Sequence, residues 1–451
     1  MPSKSYYKHM VFLVAFFALA NVIPAQADTV IKVKSAQTTV PYTEYETFVL
    51  SALMQDIGLA LSNEKKEGAV PDSKEADTLP LPPPAPLPQP SPEPEPKPAP
   101  RPTPEPEPEP KKDPWGFNKM RNDFQQEYSD TLSQWSENYQ KVLADWAKSR
   151  QQYQLDEDKY LAATVDLSQL TSNSNDLSPL EKNADTQPLQ KIASGDFHII
   201  PYSLTIPIKN QLFRGTCAAF AGTRAVETVL HQNDGLRKYQ IDLSEQHFYW
   251  LSKPNCMKFP CIAGKDQEGS NFDSGFIFSK KGNSAVSAFR QEQYCPYKPT
   301  VNKRNLTYTP LQNCTSAGQF KVNDFTQGLR ISDVISELQR NKPIAAGFKL
   351  TQSFFKTTGL VKARDALNAK DANGKHAGGH AVLLVGYIKL PEKYWEDEGK
   401  YCAITANSWG TGYGKGGYAC LSETWMQENT ILLNKHSGRS VLSSLGSVII
   451  L

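Results

Sequence analysis

A cysteine stands at residue 217, at the point where a helical pattern begins. The apolar spacing predicts a helix over Thr216–Gln232, so Cys217 would lie at a helix N-terminus. Unpaired backbone amides and the helix dipole at such a position favour the thiolate over the thiol. The backbone amide of Cys217 and the side-chain amide of Gln211, six residues earlier, are both suited to donate to an oxyanion. The competing interpretation is a buried structural cysteine that begins a core helix.

Two further blocks carry residues that would assist a thiol. His380 follows two glycines and leads into an apolar, strand-like run, and Asn407 is followed by Ser408 and Trp409. An asparagine can accept a hydrogen bond from one imidazole nitrogen and thereby fix which nitrogen faces the thiol, while a tryptophan can shield that bond from water. Taken alone, His380 is equally read as a satisfied core histidine, and the second block as a glycine-rich hairpin with a packed tryptophan.

In this order the three blocks resemble the papain family of cathepsin-like, C1-type cysteine peptidases. Leu243–Gln246 and Tyr294–Tyr297 also resemble segments of the family, and the resemblance covers residues 200–423, about half of the chain. It implies an α+β, papain-like catalytic domain with two lobes, one helical and one β-barrel-like, and an active-site cleft between them. It also implies peptide hydrolysis through a thioester acyl-enzyme, without a cofactor or a metal. The roles that it assigns are nucleophile for Cys217, general base and acid for His380, orientation of that imidazole for Asn407, the oxyanion hole for Gln211, and shielding for Trp409.

The same resemblance implies substrate-binding positions and exposes departures from the family pattern. Gly269 and Ser270 would form the wall of the primary subsite, and Gly379 and Trp409 would contact substrate as well. The family has a cysteine three residues before the nucleophile, tied to a second cysteine, where this chain has Arg214. The tryptophan that usually follows the nucleophile is Ala218. The 163 residues between the cysteine and the histidine predict an insertion within Lys362–Ala377, beside the cleft, and another is expected between Leu390 and Lys400.

Other elements and cysteines complete the C-terminal half. Two more helices are expected at Ser244–Leu251 and Ile331–Arg340, and strands at Pro343–Leu350, Ala381–Ile388, Tyr401–Ala406 and Gly417–Leu421. All 7 cysteines lie between residues 217 and 420. Spacing alone does not fix their pairing. The local pairs are Cys256 with Cys261, Cys295 with Cys314, and Cys402 with Cys420, which would leave Cys217 free.

The front of the chain divides into segments of different composition. Residues 1–27 read as a signal peptide, with a basic start, an apolar run at Met10–Ile23 and small residues before the predicted cleavage site, so the protein is expected to be exported to an extracellular or periplasmic location. An uncleaved anchor is the alternative.

Residues 28–78 form a small N-terminal module, with a strand-like stretch at Thr29–Val33 and a helix near Phe48–Leu61. Residues 79–114 are a proline-rich linker of polyproline II type, either a stiff spacer or a ligand for a proline-binding domain. Spacers of this kind resemble those of bacterial envelope proteins, which predicts a divergent bacterial member of the family.

Residues 115–197 are predicted to be a helical pro-segment or an interaction region, ahead of the peptidase domain at 198–451. Apolar residues fall at steps of three and four along a long amphipathic helix over 115–155: Phe117, Met120, Phe124, Tyr128, Leu132, Trp135, Tyr139, Val142 and Trp146. Residues 28–194 carry 17 Lys and Arg against 27 Asp and Glu, a net of −10, whereas residues 195–451 carry 30 against 20, a net of +10. This contrast suggests that the two parts meet. The family's spaced pro-helix signature is absent, so a helix that binds another protein or forms oligomers is the alternative.

These features predict a secreted cysteine endopeptidase, made as a zymogen, that acts on protein or peptide substrates and is inhibited by its own pro-segment. A catalytically silent papain-like binding protein and an exopeptidase are the alternatives. Nucleic acid is not expected as a partner, and stable membrane insertion is not expected after removal of the signal peptide.

Overall fold

A computed structural model describes residues 29–33, 42–59, 137–138, 140–165, 197–237, 241–253, 268–282, 287–299, 318–363, 378–434 and 438–451. The predicted signal peptide, the proline-rich linker, the aromatic stripe up to Tyr139, the insertion within Lys362–Ala377 beyond Ala363, and Cys256, Cys261 and Cys314 lie outside the described residues.

A nine-stranded sheet forms one lobe of the α+β fold. Its strands are β1 (Thr29–Lys32), β2 (Phe197–Ile199), β3 (Phe320–Gln327), β4 (Ile344–Lys349), β5 (Leu360–Val361), β6 (Gly379–Lys389), β7 (Tyr401–Ala406), β8 (Tyr418–Ser422) and β11 (Leu442–Ile450). The strand order is β1-β11-β4-β6-β7-β8-β5, with β2 paired to β6 and β3 paired to β11. A separate pair joins β9 (Leu432–Asn434) to β10 (Arg439–Ser440). The four strands predicted in the C-terminal half correspond to β4, β6, β7 and β8 and are confirmed to within two residues at each end.

The other lobe is built from helices that pack on this sheet. They are α4 (Cys217–His231), α5 (Asp234–Arg237), α6 (Glu245–Leu251) and α7 (Phe272–Lys281). Helix α4 is buried along nearly its whole length between β6, β11, α6 and α7. The sheet lobe carries α8 (Val334–Gln339), α9 (Gln352–Lys356), α10 (Trp395–Glu398) and α11 (Glu423–Asn429).

Side-chain caps set several helix starts. Ser244 and Ser422 accept hydrogen bonds from the third residues of α6 and α11, which satisfies amides that have no partner within the helix. The predicted helix over Ile331–Arg340 begins instead as a 3₁₀ turn at Ile331–Asp333 and becomes α-helical only at Val334.

The N-terminal elements share the core of the sheet lobe. Strand β1 pairs antiparallel with β11, and helix α1 (Glu44–Asp56) starts at a capping box formed by Thr43 and Glu46. The buried side chains of this region belong to the same apolar cluster as α4 and β6: Ile31, Val49, Leu50, Leu53, Met54 and Ile57. The boundary between an N-terminal module at 28–78 and a peptidase domain at 198–451 stays a prediction.

Four of the seven cysteines lie in the described part of the chain, and two of them form an identified disulfide. Cys402 on β7 and Cys420 on β8 form a disulfide with their Cα atoms 5.3 Å apart, which confirms that local pair. Cys295 is disulfide-bonded, and its predicted pairing with Cys314 stays a prediction. Cys217 is a free thiol, as expected.

A helical segment from the front half crosses the catalytic lobes. Helix α2 runs over 140–155, the chain turns at Asp156, and α3 (Glu157–Ala162) follows. The described part of the segment ends at Val165, which forms a bridge with Gly379.

Candidate active site

Cys217 is the first residue of α4, and the loop before it is fixed to the opposite lobe. The backbone amide of Gln211 donates to the Ser408 carbonyl at 2.8 Å, and the Ser408 hydroxyl donates to Gln211 Oε1 at 2.6 Å. Gln211 Nε2 donates to the Arg214 carbonyl at 2.7 Å. Because Oε1 is held by a hydroxyl, the amide nitrogen of Gln211 is directed toward the turn that leads to Cys217.

His380, on β6, and Asn407, directly after the end of the neighbouring strand β7, form one unit. His380 Nε2 is 2.7 Å from Asn407 Oδ1, which also accepts the backbone amide of Ser408 at 2.8 Å. Two donors that converge on Oδ1 identify it as the carbonyl oxygen, so Nε2 of His380 carries the proton and Nδ1 is left as the basic nitrogen. The Trp409 ring lies 4.4 Å from the imidazole, centroid to centroid, and keeps this bond away from solvent.

Burial favours the neutral forms of the Cys217 thiol and the His380 imidazole. Cys217 and His380 are each 1% exposed. Burial raises the pKa of the Cys217 thiol to about 12, against the opposing effect of backbone amides such as that of Ala381. Burial lowers the pKa of His380 to about 4, although the bond to Asn407 acts in the other direction. Burial in the described state therefore favours the thiol and the neutral imidazole over the ion pair.

The chain segment at 164–165 accounts for part of this burial. The Val165 amide donates to the Gly379 carbonyl at 3.1 Å, the Gly379 amide donates back to the Val165 carbonyl at 2.8 Å, and the Gly378 amide donates to the Thr164 hydroxyl at 3.1 Å. Across the cleft, a Cβ on Gly215 would lie only 2.9 Å from the Val165 side chain. Val165 thus contacts both β6, the strand that carries His380, and the loop that leads to Cys217.

The residues predicted to form the primary subsite lie next to the same loop. The Gly269 amide donates to the Tyr249 hydroxyl at 3.1 Å, and a Cβ on Gly215 would stand 3.1 Å from the Gly269 nitrogen. Gly269 has a φ of +110°, a region that favours glycine. Ser270 follows and is buried. The fold therefore gathers all of the predicted site positions around Cys217.

An ion pair stands where the family resemblance predicts a cysteine. Arg214 Nη2 is 2.9 Å from Glu268 Oε1, and Glu268 Oε2 accepts the Gly215 amide at 2.9 Å. Arg214 Nη1 also donates to Gln246 Oε1 at 3.1 Å and to the Lys298 carbonyl at 2.6 Å. The arginine ties the nucleophile loop to three other segments, and the sequence analysis did not identify its partner Glu268.

The glycine-rich loop after Trp409 receives the aromatic face of helix α2. The Trp146 ring occupies the space that a side chain on Gly416 would need, and Tyr153 and the Ser149 carbonyl do the same at Gly412. Tyr153 is 3% exposed and donates its hydroxyl to the Phe355 carbonyl at 3.2 Å. These glycines permit close approach of the helix.

Tyr160 in α3 contacts the site directly and was not identified from the sequence. Its ring lies 5.5 Å from that of Trp409 and 5.3 Å from that of Phe213, and its hydroxyl is within hydrogen-bonding distance of Asn210. A signal for it exists, because aromatic residues recur every seven positions at Tyr139, Trp146, Tyr153 and Tyr160.

Neither a metal cluster nor a membrane-spanning helix is found in the described ranges. No group of three or more His, Cys, Asp or Glu residues there is arranged to hold a metal ion. None of the helices described combines the length and the apolar character that crossing a bilayer requires.

Comparison with known proteins gives one consistent group. A sequence model described as papain family cysteine protease matches residues 201–436, just over half of the chain. Ananain of Ananas comosus is 25% identical over 255 residues, which cover 54% of this chain and 62% of the relative. Fruit bromelain of the same plant is 23% identical over 257 residues, covering 54% and 61%. The human tubulointerstitial nephritis antigen is 24% identical over 182 residues, covering 39% and 33%.

The chain spans 33% to 62% of the length of these relatives. Among solved structures, the digestive procathepsin L 3 of Tenebrio molitor larval midgut is similar with a TM-score of 0.39 and 19% identity, over 64% of this chain and 77% of that one.

Proposed function

Because this chain belongs to the papain family of cysteine proteases, we propose that it is a secreted cysteine endopeptidase made as a zymogen, with Cys217 as nucleophile and residues 115–197 as an inhibitory pro-segment. The observation that carries the proposal is that Asn407 orients the His380 imidazole, that Cys217 contacts the backbone of Ala381 beside this histidine, and that Gln211 is bonded to the turn before Cys217. A catalytically silent fold would have no chemical need to orient the imidazole and the Gln211 amide in this way.

The geometry supports an acyl-transfer sequence. The thiol of Cys217 passes its proton to Nδ1 of His380, and the sulfur attacks the substrate carbonyl carbon. The resulting oxyanion accepts hydrogen bonds from the Cys217 amide and Gln211 Nε2. The imidazolium then protonates the leaving amine, the C–N bond breaks, and a thioester remains. Water, deprotonated by His380, attacks the thioester and releases the acid and the thiol.

The contacts of residues 140–165 support the inhibitory role. A substrate backbone would have to use the edge of β6 that Val165 already occupies at Gly379. Burial beneath this segment also keeps the thiol and the imidazole neutral, and the thiol is the less reactive form. Removal of the segment would hydrate both groups and favour the thiolate–imidazolium pair at the N-terminus of α4.

Export is supported by the sequence of residues 1–27 and places the enzyme in an extracellular or periplasmic compartment. A disulfide between β7 and β8 fits an oxidising compartment. The proposed substrates are proteins or peptides, without a cofactor.

The test uses the full chain with recognition sites for a specific protease placed within 79–114 and 166–196, so that cleavage frees residues 140–165 and leaves residues 29–59 in the sheet. Cys217 is then labelled with a thiol-directed epoxide, and hydrolysis of a peptide library is followed. We expect rapid labelling and internal peptide cleavage only after processing, and neither in Cys217→Ala.

Each other outcome identifies an alternative. Labelling without hydrolysis indicates a silent binding protein, and removal of terminal residues alone indicates an exopeptidase. Equal labelling before and after processing contradicts the inhibitory role of the segment.

A further inference from the structure

The Tyr160 side chain occupies a small site built from residues of the catalytic lobes. Tyr160 is 4% exposed, and the centroid of its ring lies 5.5 Å from that of Trp409 and 5.3 Å from that of Phe213. The ring of Tyr153, from the segment itself, stacks on it at 5.3 Å. The Tyr160 hydroxyl is 3.0 Å from Nδ2 and 3.2 Å from Oδ1 of Asn210. Two aromatic walls and a carboxamide at the far end are complementary to a phenol.

Hydrogen bonds among residues of the catalytic lobes keep this site in shape without Tyr160. The Leu212 amide donates to Asn210 Oδ1 at 2.8 Å, and Leu212 has a φ of +53°, so the turn that presents Phe213 is defined locally. The Gly410 amide donates to the Lys209 carbonyl at 3.2 Å, which fixes Asn210 beside Trp409. The Phe213 side chain is 42% exposed even with Tyr160 against it, so the site opens to solvent when the segment leaves.

The site also lies on a defined side of the reacting atoms. Trp409 packs against His380, the group that protonates the leaving amine in the proposed mechanism, whereas Gly269 lies beside the other flank of the nucleophile loop. A peptide bound across Cys217 would therefore place the residues of its leaving group over Trp409 and Phe213.

We propose that Trp409, Phe213 and Asn210 form a substrate subsite that selects a tyrosine side chain on the leaving-group side of the scissile bond, and that Tyr160 occupies this subsite in the uncleaved chain. The inference rests on the proposed function and adds to it a substrate class. The rings select an aromatic side chain, and the Asn210 amide separates tyrosine from phenylalanine.

The test uses the processed full chain and internally quenched peptides that differ only in the residue at the first or the second position after the scissile bond. Each kcat/KM is divided by that of a fluorogenic amide with the same preceding residues and no amino acid after the bond. We expect tyrosine to exceed phenylalanine by about threefold to tenfold, the value of one hydrogen bond. Phenylalanine should exceed alanine by about tenfold, the value of an aromatic contact.

Substitutions of Phe213 test the contribution of its ring to the subsite, a position to which the family resemblance assigns no role. In Phe213→Ala the kcat/KM of the phenylalanine peptide divided by that of the alanine peptide should fall toward one. In Phe213→Tyr, which keeps the ring, this ratio should persist. Each variant's own ratio is compared, so a general change in rate does not affect the result. Equal rates for tyrosine and alanine peptides at both positions in the unsubstituted enzyme would overturn the inference.

Peptides of residues 140–165 with Tyr, Phe or Ala at position 160 provide a second measurement, as inhibitors of the processed enzyme. Inhibition that weakens from Tyr to Phe to Ala, together with the same order in substrates, supports the shared subsite. The same order in inhibitors with no preference among substrates means that the site serves the segment alone, and the inference is wrong. If neither the peptides nor the amide is cleaved, the proposed function fails and this inference fails with it.

Discussion

Truncation of Tyr160 to alanine in the uncleaved chain should greatly increase the reactivity of Cys217. The substitution removes a side chain that is 4% exposed and contacts the rings of Tyr153, Phe213 and Trp409 at 5.3–5.5 Å. Truncation of a buried aromatic residue to alanine costs about 3–5 kcal/mol. Because α3 lies at the protein surface and can relax, we take the lower part of that range, about 3–4 kcal/mol.

This free energy converts directly into a labelling rate. If the epoxide reaches Cys217 only when the segment opens, the observed rate is the open fraction multiplied by the rate of the exposed thiol. A loss of about 3–4 kcal/mol raises the open fraction about 100- to 700-fold, at tenfold for each 1.4 kcal/mol. Tyr160→Phe keeps the ring and loses only the bond to Asn210, so about 1 kcal/mol or a fivefold increase is expected.

The assay follows epoxide labelling by mass spectrometry at several reagent concentrations, with circular dichroism to verify that each variant is folded. Leu155→Ala is the matched control, because Leu155 lies in the same segment and is 77% exposed. Labelling of Tyr160→Ala at the rate of the unsubstituted chain would refute the reasoning. So would an equal increase in Leu155→Ala, since it would show general destabilisation of the segment.

Three further predictions concern the framework of the site. Deletion of residues 29–59 should prevent folding, because each of six buried apolar side chains contributes about 1.5–3 kcal/mol to stability. For the same reason, after cleavage of the full chain within 79–114, the N-terminal fragment that contains residues 29–59 should stay bound to the rest in gel filtration. Burial raises the pKa of Glu423 to about 7 and also raises the pKa of Glu245, so above pH 4.5 the folded chain holds protons that the unfolded chain has lost. The free energy of unfolding should therefore fall as pH rises from about 4.5 to about 7, and Glu423→Gln should reduce that fall by about 2–3 kcal/mol in urea titrations. Arg214→Ala and Glu268→Gln should each lower kcat/KM by tenfold or more, and the double variant should cost less than the sum, because each single change leaves the remaining charge without the counter-ion of this pair.

The candidate catalytic positions could be proposed from the sequence because their chemistry is local in it. A thiol at a helix start, a histidine beside two glycines and an asparagine before a tryptophan each combine a reactive group with the backbone that positions it. The helix from Cys217 and the strands around His380 and Asn407 follow from apolar runs of the correct length. The folded structure adds the distances between these groups.

Contacts between residues far apart in sequence were not predictable in the same way. Glu268 lies 54 residues after Arg214, in a stretch without periodicity, so only the fold reveals the ion pair. Strand β1 pairs with a strand at the opposite end of the chain, Thr29 with Ile450, and four residues of moderate hydrophobicity carry no sign of that partner. The start of α1 at Glu44 was also missed, because the capping box of Thr43 and Glu46 determines it and not the apolar patch that follows.

The charge contrast between the two halves of the chain correctly indicates that they meet, but ionic contacts are not what holds residues 140–165 in place. Among the described residues, the ion pair that joins the two halves is Asp56 with Lys415 at 2.9 Å, and Asp56 belongs to helix α1 in the core. Residues 140–165 are held instead by ring packing at Trp409, by backbone hydrogen bonds at Gly379, and by uncharged or carbonyl-directed hydrogen bonds such as those of Tyr153 and Tyr160. Opposite charge acts over a distance and is weakened by salt, whereas apolar contacts are not. Tyr153, Tyr160 and Val165 therefore determine how firmly the segment stays on the cleft, and a change in ionic strength is not expected to release it.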